Sequence, residues 1–139
     1  MPAVLTPFAP IMIRVPVYGQ IAAGKPLHES PIVGWRWIRK PKNYKPNWRV
    51  CAVYINGNSL VEALIGDGDI AICRLTNELE RNGQLAAVLI PEGITLKFCW
   101  FEQDGRARLE SRNAAYKDRW FEGEDIRIQA VVIRIERDL

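Results

Sequence analysis

Six short apolar runs, none longer than ten residues, alternate with turn sequences from residue 50 onward, and no segment sustains the 3.6-residue periodicity of a helix. The runs are VCAVYI (50–55), DIAICRL (69–75), LAAVLI (85–90), ITLKFCWF (94–101), RARLES (106–111) and IRIQAVVIRI (126–135). Between them stand Asn82-Gly83, Pro91-Glu92-Gly93 and Asp104-Gly105, turn sequences of the kind that join antiparallel strands. The pattern predicts a mostly-β chain. In the last run Ile126, Ile128 and Ala130 alternate in one phase and Val131, Ile133 and Ile135 in the other, which predicts a β-bulge near residues 130–132.

At 139 residues and 48% hydrophobic composition the chain has room for one core and not for two. Residues 1–34 are rich in proline and small side chains and read as an extended arm, with a β-rich domain over 35–139. The opening MPAVLTPFAPIMIRVP is apolar but broken by four prolines, lacks an early basic cluster and is too short to span a bilayer, so the expectation is a cytoplasmic protein away from membranes. Cys51, Cys73 and Cys99 are too widely spaced for a C-x-x-C metal or redox pair and are expected as small buried apolar residues. No cofactor is expected. The net charge of +3 is too mild to mark the whole chain as a nucleic-acid binder, yet residues 35–49 hold six cations and no acid.

Ser59 follows the turn-forming Asn56-Gly57-Asn58 and precedes a short apolar stretch that ends at Gly66-Asp67-Gly68. One reading is local: with Glu62 it makes an S-x-x-E capping box at the start of a short helix. The other is chemical, and a serine nucleophile needs a base. The single histidine, His28, lies in the arm, and S-x-x-K is absent because residue 62 is Glu. Lys97 is the remaining candidate. Strand alternation in ITLKFCWF puts Ile94, Leu96, Phe98 and Trp100 on one face and Thr95, Lys97, Cys99 and Phe101 on the other, so both faces are largely apolar. Desolvation there would draw the amine from about 10.4 toward neutrality and make it a usable base; the alternative is an edge lysine that snorkels into water.

The segment from Gly57 to Asp69 (G-x-S, then D-G-D), TLK at 95–97, NAAY at 113–116 and the final VVIRI strand, taken in this order, resemble the peptidase domain of LexA-type repressors and UmuD-type polymerase subunits. YGQIAAGKP (18–26) resembles the self-cleavage site of that family. The resemblance runs from Pro16 onward and implies a LexA/signal-peptidase-like fold of coiled antiparallel sheets, with one short helix at the nucleophile. It further implies a self-cleaving Ser/Lys dyad: Ser59 as nucleophile, uncharged Lys97 as base, Thr95 as a supporting hydrogen-bond partner, and Ala23-Gly24 as the scissile bond. Three positions depart from the family pattern: Leu60 for methionine, Phe98 for a basic residue, and Ala130 for glycine.

The same resemblance implies a homodimer, activation by the RecA–single-stranded-DNA filament, and a place in the SOS response to DNA damage. Two variants stay open. Only 22 residues precede Ala23, which is the UmuD layout and implies an error-prone DNA polymerase as partner, whereas AAGKP and SLVEALIGDGD are closer to the repressor type. A non-enzymatic alternative uses the basic stretch 35–49, interleaved with Trp35, Trp37, Tyr44 and Trp48, to bind single-stranded nucleic acid. Its counterpart is a solvated connection whose tryptophans cover the core.

Overall fold

A computed structural model describes residues 10–19 and 25–139. The strands are β1 (Met12–Tyr18), β2 (Ile32–Arg39), β3 (Val50–Tyr54), β4 (Ile70–Leu75), β5 (Gln84–Ile90), β6 (Gly93–Phe101), β7 (Arg106–Glu110), β8 (Arg119–Glu122) and β9 (Arg127–Glu136). All nine join in one open sheet of order β2-β1-β3-β4-β9-β5-β6-β7-β8. Every neighbouring pair is antiparallel except β1 and β3, so the mostly-β expectation holds, with one continuous sheet in place of several. Among the described residues the helical content is three single 3₁₀ turns.

The central strands are buried on both faces, which is why their sequences are continuous apolar runs and not simple alternations. From β4, Ala71 and Cys73 enter one cluster with Leu60, Leu85 and Ala130, while Ile70 and Ile72 enter another with Val15, Val17 and Ile38. From β5, Leu85 and Ala87 join the first, and Ala86 and Val88 join a third with Cys99, Leu109 and Ile128. The three cysteines are free and buried. Burial holds the Cys99 thiol up at about 11, and Cys73, opposite Cys51, is raised as well by its hydrogen bond to Cys51 and by burial.

β9 carries two irregularities. Its register slips at Gln129 against β5 and at Ile133 against β4, so two bulges flank the stretch where the phase change predicted one. Residues 12–18, within the stretch read as an arm, form β1 and pair along their whole length with β2. Pro16 is tolerated because β1 borders β3 only at Val17 and Tyr18, leaving no ladder on its second edge at residue 16.

Candidate active site

Ser59 sits in the connection between β3 and β4, one residue before the cap of a 3₁₀ turn at Val61–Ala63. Gly57 adopts φ 88°, a conformation open to glycine and costly for other residues, and its N–H donates to the Asp67 carboxylate at 2.7 Å. Leu60, 2% exposed, inserts into the core directly after the serine; burying such a side chain contributes about 2 kcal/mol and pins the turn.

The capping box does not form. Leu60 occupies the cap position without a side-chain hydrogen bond, because the helix is a single 3₁₀ turn and Glu62 has a stronger tertiary partner. The Glu62 carboxylate accepts from the Ala114 N–H at 2.7 Å, and the Glu62 N–H donates to the Arg112 carbonyl. The Arg112 N–H in turn donates to the Ser59 carbonyl at 2.7 Å. Asn113 Nδ2 donates to the Asn58 carbonyl at 2.8 Å, and Tyr116 donates its hydroxyl to Asn58 Oδ1 at 3.0 Å. Residues 112–116 therefore clamp the serine turn from across the molecule. The sequence singled out NAAY without this role.

Lys97 lies mid-strand in β6, and its Nζ is 3.2 Å from Ser59 Oγ, 2.9 Å from Thr95 Oγ1 and 3.3 Å from the Leu96 carbonyl. A neutral amine has two N–H donors and one lone pair, so donation to Thr95 and Leu96 leaves the lone pair for the Ser59 O–H. No carboxylate forms an ion pair with Lys97 among the described residues. Burial pushes its amine below the ordinary lysine range, and the Arg119 guanidinium adds a smaller push in the same direction. Arg119, itself tied to Glu92 at 2.7 Å, is a neighbour that the sequence did not reveal.

Two clefts meet at Ser59, Thr95 and Lys97. One, of about 270 Å³, runs beneath Ile90, Leu109 and Tyr116. The other, of about 590 Å³, runs along Tyr54, Ile94 and Leu96 to Tyr18, Gly19 and Leu27. Ala23 and Gly24 lie outside the described residues, between these last positions in the chain. His28 is exposed. The described residues hold no group of His, Cys, Asp and Glu able to bind a metal ion, and no helix long and apolar enough to cross a membrane.

The chain is similar to the LexA repressor of Leptospira interrogans, with 39% identity over 104 residues that cover 74% of this chain and 50% of that protein. It is 32% identical over 127 residues to the LexA repressor of Zymomonas mobilis, covering 91% of this chain and 57% of the relative. A LexA repressor of Roseiflexus is 32% identical over 134 residues, with coverage of 91% and 61%. The chain thus spans about half to three fifths of the length of the curated relatives it matches. The match to Peptidase S24-like proteins extends over residues 16–133, and the chain belongs to that family, the LexA/UmuD type of peptidase.

Proposed function

We propose that this protein is a self-cleaving serine peptidase whose Ser59/Lys97 dyad hydrolyses its own Ala23-Gly24 bond, as a LexA-like switch of the SOS response. The observation that carries the reading is the 3.2 Å approach of Lys97 Nζ to Ser59 Oγ, made by an amine with a depressed proton affinity and no carboxylate partner among the described residues. A protonated lysine could not take a proton, and the lowered proton affinity of this amine favours its neutral, basic form. The groove adds support, since Tyr18 and Gly19 before the scissile bond and Leu27 after it line the cleft that ends at the dyad.

In the reaction Ser59 Oγ bonds to the Ala23 carbonyl carbon as its proton passes to Lys97 Nζ. The Ser59 N–H, which has no acceptor among the described residues, is available to the developing oxyanion. Collapse breaks the Ala23–Gly24 C–N bond, and Lys97 delivers its proton to the Gly24 nitrogen. Water, deprotonated by Lys97, then attacks the Ser59 ester; the Ala23 carboxylate leaves and the proton returns to Oγ. Thr95 holds the amine in line. The repressor character of the relatives favours a LexA-like switch over a polymerase subunit, and activation by the RecA–DNA filament and assembly as a homodimer belong to the same reading.

The test is incubation at about pH 10, where the dyad amine is deprotonated without an activator, followed by intact-mass measurement. Fragments split between Ala23 and Gly24 are expected from the native chain and not from Ser59→Ala or Lys97→Ala. An unchanged mass in the native chain after prolonged incubation overturns the proposal.

A further inference from the structure

The basic, aromatic stretch 35–49 divides in the structure. Tyr44 and Trp48 meet edge to face, with centroids 5.9 Å apart, and pack on the core. Trp35 and Trp37 do the opposite: they are 52% and 64% exposed on the edge strand β2. Cross-strand register puts Met12, Arg14 and Pro16 of β1 opposite Arg39, Trp37 and Trp35, and the inward turn of Val15, Val17 and Ile38 sends these six side chains to the outer face. The Arg14 guanidinium lies over the Trp35 ring at 4.5 Å, and Trp37 has no cation over it among the described residues.

We infer that the outer face of the β1–β2 pair is a binding platform for single-stranded DNA. Two exposed indoles at positions i and i+2 repeat every ~6.8 Å along a strand, a spacing that lets successive unstacked bases lie on successive rings. Arg14 and Arg39 supply cations beside them, and no acid stands among the six. The two carboxylates that pair with β2, Glu136 and Asp138, bind Arg36, which points to the opposite face. Lys40, exposed, follows Arg39 directly at the end of β2, whereas Lys42 and Lys45 line a separate cleft with Trp48, Arg74 and Glu80. The charge favours a polyanion over a second copy of this chain, because a two-fold contact would set this cationic face against itself. None of the six side chains accepts a hydrogen bond, so a 2′-hydroxyl laid against the indoles would lose water without gaining a side-chain acceptor, which favours DNA over RNA, and exposed rings suit unpaired bases over a duplex.

The experiment uses the full chain in a Ser59→Ala background, so that β1 and β2 stay covalently joined and the result is independent of self-cleavage. Anisotropy of a labelled oligothymidine is followed at low salt and across a salt series, with oligouridine and a duplex of equal length in parallel. The single DNA strand is expected to bind tightest. Trp37→Ala weakens binding roughly five- to hundredfold, the range found for one base–aromatic stack. Arg39→Gln reduces the slope of log K against log salt by about 0.7, one phosphate contact fewer. No binding at low salt, equal or tighter binding of the duplex or of RNA, or Trp35→Ala and Trp37→Ala variants that bind normally while correctly folded, would each overturn the inference. So would sedimentation showing that Trp37 drives self-association and DNA does not compete.

Discussion

The connection between β3 and β4 carries an ionisable site at each end, and the fold treats the two in opposite ways. At one end Asp69, 2% exposed, is bound by Arg137 at 2.7 and 2.8 Å and by the Gly66 N–H at 2.8 Å. The Arg137 guanidinium, and then the Gly66 hydrogen bond, hold its carboxylate at about 2. The same guanidinium donates to the carbonyl of Leu64, which closes the turn at a left-handed φ of 63°. At the other end Lys97 meets the loop at Ser59, half-buried and without a carboxylate partner among the described residues. A charge so paired keeps its ionised state down to about pH 2, and so it serves the structure of the loop. Withdrawal from water, with no carboxylate paired to it among the described residues, lowers the proton affinity of the Lys97 amine, which suits it to the base role proposed above.

Lys97→Met is the strongest way to break this contrast. On the base role proposed for Lys97, its removal costs roughly 10²–10⁴ in rate, so cleavage at alkaline pH is expected to fall by that range. Stability moves the other way. The folded chain holds the Lys97 proton less tightly than the unfolded chain, so the native amine weakens the fold at low pH and recovers that loss as pH rises from its depressed value toward 10.5. The variant should therefore melt above the native chain at neutral pH, with the gain fading as pH approaches 10.5. A variant that melts below the native chain at neutral pH would make Lys97 a structural residue.

Asp69→Asn sharpens the contrast from the other end. It leaves Arg137 without its anion, and the thermal midpoint at neutral pH is expected to drop by several degrees. Here the sign is opposite: the native carboxylate is held at about 2 against an ordinary 3.8, so its stabilisation is complete above 3.8 and is lost as pH falls toward 2. The acid limb of the stability profile should flatten in the variant. Cleavage per folded molecule should stay within a few-fold of native; a loss comparable to that of Lys97→Met would show that the pair does more than hold the loop.

The sequence disclosed the parts of this arrangement that are local in the chain. Lys97 among apolar neighbours and Thr95 two residues before it follow from the alternation of one strand, and the apolar runs gave six of the nine strands. Contacts that depend on how the sheet closes were hidden. The clamp of residues 112–116 on Asn58, Ser59 and Glu62 and the Arg137–Asp69 pair join positions 50–68 residues apart, and nothing in a local pattern marks either partner. S-x-x-E misled for the same reason: a local cap yields when a backbone N–H from residue 114 reaches the carboxylate first. In β1, proline density obscured a strand that needs a full ladder on one edge only.

The smallest expected effect tests how the reactive end is aimed. In the neutral state the amine has two protons, given to Thr95 Oγ1 at 2.9 Å and the Leu96 carbonyl at 3.3 Å, and those two bonds fix the direction of its lone pair. Thr95→Val keeps the side-chain shape and removes the shorter bond, so the amine can turn away from Ser59. A misdirected base costs roughly tenfold to a hundredfold, less than a missing one. Thr95→Ser, which restores the oxygen, should recover most of the rate. The decisive reading is the alkaline plateau. If Thr95 acts by orienting the amine, the valine variant stays slow even where Lys97 is fully deprotonated, whereas a defect that vanishes on the plateau would mean that Thr95 acts only on the proton affinity of Lys97.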